Sequence, residues 1–149
     1  MKFYPINLNV KNKKCLVFGG GKVATRKIHN LIKCGATVMV VSPKITASLV
    51  RKVTEKKIAY IEQVYKKDML DNSVFLVFAA TSDLSVNQKI ATEASRKNIL
   101  VNVCDSAALS DFILPAFLRR KGMTISVSSD GHSPKQSKQL KNYLKEILP

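Results

Sequence analysis

An α/β fold, built as a doubly wound parallel sheet and followed by a small α+β segment, is predicted by three observations. Short apolar, β-branched runs of buried-strand character alternate with helical periodicities from residue 13 to residue 105. The first of these runs ends in glycines that open directly into a helix, and beyond Asp111 the alternation gives way to two extended segments and a final helix. Parallel neighbours need crossover connections, which helices supply, so strict alternation argues for a parallel sheet.

Each element has its own signal. KKCLVFGG, residues 13–20, is an apolar run ending in glycine, the form of a strand buried on both faces. In VATRKIHNLIKCGA the apolar positions Ala24, Ile28, Leu31 and Ile32 recur at helical spacing, and Gly35 stands where a helix-terminating glycine belongs. ATVMVVSP, 36–43, is a second buried strand. A helix over 47–57 leads to a third strand in AYIEQVY, and VFLVFAA, 74–80, is the fourth. Residues 83–97 read as a helix with Ile90 and Ala94 on one face, and LVNVCD, 100–105, as the fifth strand. FILPAFLRR and MTISVSS then flank Lys121-Gly122 as two extended segments, and Ser133 caps a helix over 134–148 with Pro134 in its first turn. That helix gathers Leu140, Tyr143, Leu144, Ile147 and Leu148 on one side, a stripe that packs either on its own subunit or on a second one.

Composition narrows the function classes. At 149 residues, the chain has room for one domain and a small appendage, with boundaries expected at 1–112 and 113–149. The longest strictly apolar stretch, VFLVFAA, falls far short of the ~20 residues a membrane-spanning helix needs, so no membrane association is expected. The start, MKFYPINLNVKNKK, lacks an apolar export segment with a small-residue cleavage site, and a cytoplasmic protein is expected. Cys15, Cys34 and Cys104 are scattered without a CxxC or Cys/His cluster, which supports neither a disulfide framework nor a metal site. With 25 Lys+Arg against 10 Asp+Glu, the net charge of +15 permits a polyanionic partner. Twenty of those cations are lysines spread over the whole chain, with no compact basic stripe interleaved with aromatics, so nucleic acid is not expected as a partner. Signatures of serine hydrolases, zinc proteases, P-loop NTPases and helix-turn-helix readers are missing from the sequence.

The chemistry-bearing positions gather at predicted strand ends. Gly19, Gly20, Gly21, Lys22, Val23 and Ala24 fit G-x-G-x-x-A between the first strand and the first helix. There a dinucleotide pyrophosphate meets helix N-terminal amides: Gly19 permits the tight turn, Gly21 lets the backbone approach phosphate, and Ala24 lets helix and strand pack closely. The acid that usually follows the second strand and binds the adenine ribose is replaced by Ser42-Pro43-Lys44. Ser42 suits a ribose hydroxyl and Lys44 tolerates a 2′-phosphate, so residue chemistry leaves NAD and NADP both open. Thr81 and Asp83 follow the fourth strand at the carboxyl edge, where Asp83 serves equally as a helix cap. Asp105, at the end of the fifth strand, is the carboxylate expected to face the nicotinamide, ahead of Asp111 in its Ser/Ala-rich loop. Ser128, Ser129 and His132 lie in a polar loop before the last helix N-terminus, a place that favours bound anions.

Taken together, seven segments in order resemble the precorrin-2 dehydrogenase family, the dehydrogenase and ferrochelatase module of siroheme synthase. They are Tyr4-Pro5-Ile6, GGGKVATRK at 19–27, CGATVMVVSP at 34–43, ATSDLSVN at 80–87, VNVCD at 101–105, SDFILPA at 110–116 and ISVSSDGHSP at 125–134. The resemblance implies a Rossmann-like domain followed by a dimerisation and substrate-pocket segment, in a homodimer. It implies NAD-dependent oxidation of precorrin-2 to sirohydrochlorin in siroheme biosynthesis, and NAD as the cofactor despite the missing acid. It also implies Asp105 as the essential aspartate, acting as general base or orienting the tetrapyrrole, and Ser128 in the substrate loop. A polycarboxylate tetrapyrrole substrate gives the positive charge a physical use. The C-terminal segment is short relative to longer members of the family. Dehydrogenation is therefore expected ahead of iron insertion. The rival expectation is a non-catalytic NAD-binding regulatory module, which would not need the SDFILPA and ISVSSDGHSP segments.

Overall fold

The computed structural model describes residues 3–148. Its chain divides into two compact units, one of Asn7–Asp111 and one that joins the N-terminal residues up to Ile6 to the C-terminal stretch from Phe112. The first unit carries β1 (Lys14–Phe18), α1 (Lys22–Lys33), β2 (Thr37–Val41), α2 (Ala47–Thr54), β3 (Ala59–Ile61), β4 (Val74–Ala79), α3 (Leu84–Arg96) and β5 (Leu100–Val103). The second carries β6 (Ala116–Arg120), β7 (Met123–Val127) and α4 (Pro134–Ile147).

In the first unit the strands form a five-stranded sheet of order β3-β2-β1-β4-β5, every neighbouring pair parallel. The fold is therefore α/β, a Rossmann-like parallel sheet wound in both directions from β1. Successive side chains alternate between its faces. Leu16, Phe18, Val77, Ala79, Val101 and Val103 pack with Ile90, Ala91 and Ala94 of α3, while α1 buries Ala24, Lys27, Ile28 and Leu31. Lys27 reaches Phe78 and Asn102, which are register partners, so α1 covers the opposite face from α3.

Two predicted elements come out shorter. The helix expected over 47–57 ends at Thr54, because Lys56 takes a left-handed φ of 54° and the chain turns. The third strand ends at Ile61, where Gln63 N bonds Ile61 O at 3.0 Å, and Tyr65 turns inward against Phe18 and Glu93. Asp105 lies in a turn just beyond β5 rather than within the strand.

The second unit is an antiparallel hairpin with a helix. Its tight turn is Lys121-Gly122, both at positive φ (47° and 80°), the primed geometry that matches strand twist. Ser133 caps α4 by accepting the Gln136 amide, as expected. Of the apolar stripe on α4, Leu140, Tyr143 and Ile147 are about half exposed. A two-stranded sheet and one helix leave too little partner surface to cover them. No helix is long and apolar enough to cross a membrane among the described residues.

Candidate active site

Because all five strands run parallel, the loops after β1, β2, β4 and β5 emerge at one edge of the sheet. The winding reverses between β1 and β4, the place where open α/β sheets bind ligands. The loops there are stitched together by backbone bonds: Gly19 N to Val41 O at 2.9 Å, Ala80 N to Phe18 O at 2.8 Å and Cys104 N to Ala79 O at 2.9 Å.

The three glycines have different jobs. A Cβ on Gly19, whose φ is +113°, would stand 2.2 Å from Ala80 O, and one on Gly20 would stand 2.2 Å from Lys44 O. These two residues let the β1 loop lie flush against the β4 and β2 loops. Gly21 has nothing within 4 Å of its Cβ position, and as N-cap of α1 it provides no side-chain cap. Open space thus stands over first-turn amides, with Lys22 and Val23 exposed beside it, and this fits a pyrophosphate. Ala24, fully buried, gives the close packing its size predicts.

The β2 loop is braced internally. Ser42 Oγ donates to Lys44 O at 2.7 Å and Ser42 O accepts from Tyr60 Oη at 3.0 Å, so this serine is a loop brace as well as a candidate ribose contact. Pro43 and Lys44, both exposed, border a shallow recess with Ile45, Val50, Tyr60 and Glu62. After β4, Thr81 sits in a small network in which its amide and hydroxyl donate to Asn87 Oδ1 at 3.1 and 2.8 Å. Asp83 is a helix cap: its carboxylate accepts from the Ser85 and Val86 amides, and these bonds with the Ser85 hydroxyl hold it below the usual carboxylate range.

Asp105 is exposed at this same edge. Next to it, burial pushes the Cys104 thiol up, with Asp105 adding to that effect and Lys27 opposing it. Lys27 of α1 is 8 % exposed, donates to Asn102 Oδ1 at 3.0 Å and lies 5.1 Å from the Phe78 ring centroid. Sequence reading missed Lys27 and Asn102. The available signal was that Lys27 falls on the buried stripe of α1, three residues after Ala24 and one before Ile28.

Ser128, Ser129 and His132 belong to the second unit. Ser128 Oγ accepts the Asp130 amide at 3.1 Å and Ser129 Oγ accepts the Ser133 amide at 2.8 Å, while the exposed His132 uses its backbone amide to bond Ser129 O. Asp130 takes a left-handed φ of 51° and Gly131 one of 86°. Among the described residues no three His, Cys, Asp or Glu side chains converge.

A family model described as "Putative NAD(P)-binding" matches residues 6–116. The chain is similar to the siroheme synthase of Psychromonas ingrahamii, 39% identical over 149 residues that make up all of this chain and 31% of that protein. It is 38% identical over 149 residues to the siroheme synthase of Methylobacillus flagellatus, again over all of this chain and 32% of that protein. It therefore spans less than one third of the length of these curated relatives. Among solved structures it is similar to "SirC, precorrin-2 dehydrogenase", with a TM-score of 0.85 and 28% identity over 99% of this chain and 72% of that one.

Proposed function

The chain belongs to this NAD(P)-binding family, and from that premise we propose that it catalyses the NAD-dependent oxidation of precorrin-2 to sirohydrochlorin, a step of siroheme biosynthesis. The observation that carries the reading is the meeting of an uncapped, glycine-lined helix N-terminus and the Asp105 carboxylate at one edge of a parallel sheet. The names of the similar siroheme synthases and of SirC support it.

In this reading the α1 first-turn amides, with Gly19, Gly20, Gly21, Lys22 and Val23, hold the pyrophosphate, and Ser42, Pro43, Lys44 and Thr81 border the remaining cofactor. NAD supplies the hydride acceptor when bound. Oxidation removes a hydride and a proton from the tetrapyrrole, and the Asp105 carboxylate takes the proton. Ser128 and Ser129 already accept backbone amides, which leaves each hydroxyl proton to donate to a substrate carboxylate, and His132 adds a further polar contact. The net charge of +15 draws in a polyanionic substrate.

The half-exposed Leu140, Tyr143 and Ile147 of α4 support a homodimer in which a second copy covers them. Three free thiols fit a reducing cytoplasm. Asp105→Asn tests the catalytic assignment: NADH formation from precorrin-2 falls by about a hundredfold or more with NAD affinity retained. Unchanged turnover removes Asp105 from the mechanism.

A further inference from the structure

Gly19, Gly20 and Gly21 are three conformationally permissive residues in a row, and Gly21, as N-cap, has no side chain to hold the first turn of α1. Left to itself, such a loop would aim its amides at an anion only part of the time, and the entropy of ordering it would weaken binding. Two threonines from outside the loop supply the missing constraint. Thr46, the N-cap of α2, donates its amide to Gly20 O at 3.1 Å. Thr25, one turn into α1, donates both its hydroxyl and its amide to Gly21 O, each at 2.9 Å.

The two hydroxyls meet at 2.9 Å in a part-buried contact. Since the single Thr25 hydroxyl proton goes to Gly21 O, Thr46 is the donor between them, and Thr46 Oγ1 in turn accepts the Leu49 amide at 3.4 Å. The relay therefore has one direction, from the Leu49 amide through Thr46 and Thr25 to Gly21 O. In a planar trans peptide the C=O and N–H point opposite ways. Bonds that hold Gly20 O and Gly21 O toward the threonines thus turn the Gly21 and Lys22 amides away from them. A carbonyl that accepts a hydrogen bond also polarises its own peptide, which makes the N–H at the other end a stronger donor. A helical threonine often bonds the carbonyl four residues back, but that bond needs no second hydroxyl, and capping α2 needs only the Leu49 amide. Neither local role accounts for the contact between Thr25 and Thr46.

We propose that Thr25 and Thr46 are positioning residues for the NAD pyrophosphate: their linked hydroxyls and the Thr46 amide lock the Gly20 and Gly21 carbonyls, and so aim the Gly21 and Lys22 amides at the phosphates. The proposal rests on the placement of the pyrophosphate at the α1 N-terminus, and deepens it.

Calorimetric titration of the full chain with ADP-ribose, which carries the pyrophosphate, and with adenosine, which lacks it, separates aiming from general support. Thr25→Val keeps the side-chain shape without the hydroxyl; it raises the ADP-ribose Kd by about threefold to tenfold and leaves the adenosine Kd at its wild-type value. Thr25→Ser, which keeps the hydroxyl and loses the methyl, binds ADP-ribose as the wild type does. An unchanged ADP-ribose Kd in Thr25→Val, equal losses for both ligands, or a Thr25→Ser as weak as Thr25→Val overturns the proposal.

The link between the hydroxyls is tested by a double-mutant cycle. Thr46→Val weakens ADP-ribose binding in the wild-type background and adds nothing in Thr25→Val, where the relay is already broken, while Thr46→Ser, which keeps both cap and donor, retains affinity. Multiplicative losses overturn the relay. Gly21→Ala checks the premise in the same titrations. ADP-ribose binding weakened by Gly21→Ala and untouched by Thr25→Val overturns this proposal alone; binding indifferent to both removes the phosphate cradle, and the positioning role with it.

Discussion

Asp111 is tied to Val101 twice: its amide donates to Val101 O at 2.9 Å and its carboxylate accepts the Val101 amide at 2.9 Å. The chain thus pairs with β5 at the last residue of the first unit. Asp111 is the latch of that pairing, whereas Asp105, in the turn between, keeps its carboxylate in solvent. Asp111→Ala strands the amide of a residue only 2 % exposed and lowers stability by about 1–3 kcal/mol in urea unfolding. Asp111→Asn, which keeps an acceptor, is milder. Equal stability of Asp111→Ala and wild type would refute the latch.

Glu93 predicts an acid sensitivity. It is 1 % exposed, and it gathers Tyr65 Oη at 2.6 Å, the Leu70 amide at 3.0 Å, the Asp68 amide at 3.2 Å and Lys97 Nζ at 3.5 Å. Burial raises its pKa, but these partners outweigh burial and leave it below the usual value of 4.5. Since the unfolded chain protonates first as pH falls, this contribution is complete above that value and disappears as pH drops through the lower, folded one. Glu93→Ala strands several donors and costs about 2–5 kcal/mol at neutral pH. In Glu93→Gln the acid-side slope of stability against pH flattens; an unaltered slope would assign that sensitivity elsewhere.

The glycines separate folding from binding. Gly19→Ala forces a side chain onto Ala80 O at a φ of +113° and destabilises by ~2 kcal/mol or more. Gly21→Ala has room and an ordinary φ of −79°, so its melting temperature stays near wild type while the Kd for NAD rises by about tenfold. Calorimetric titration with NAD checks this, and undiminished affinity in Gly21→Ala removes the phosphate cradle.

The α4 stripe makes an assembly prediction. Ile147→Glu places a charge on the half-exposed apolar face and converts a sedimenting dimer into monomers, leaving the parallel-sheet unit folded. A wild-type protein that sediments as a monomer at micromolar concentration contradicts the dimer.

Much of this was legible because local signals and global order agreed. Strand runs with glycine ends, Gly35 at its left-handed φ of 75° and the Lys121-Gly122 turn all carry their geometry in their residue types. What stayed hidden were polar residues doing buried work. Lys27 and Glu93 lie on the apolar stripes of α1 and α3, but a lysine or glutamate at such a position reads as surface until its partners are seen. Those partners, Asn102, and Tyr65 with the 68–70 loop, are brought near by the sheet and not by spacing along the chain. The early end of β3 at Ile61 has the same origin, because Tyr65 is drawn inward to Glu93.

The central claim is dehydrogenation, and anaerobic incubation of the purified chain with precorrin-2 and NAD tests it most directly. NADH absorbance should rise in step with the sirohydrochlorin spectrum, one NADH for each tetrapyrrole oxidised, before any ferrous iron is added. A folded protein that binds NAD yet leaves the precorrin-2 spectrum unchanged and forms no NADH would contradict it.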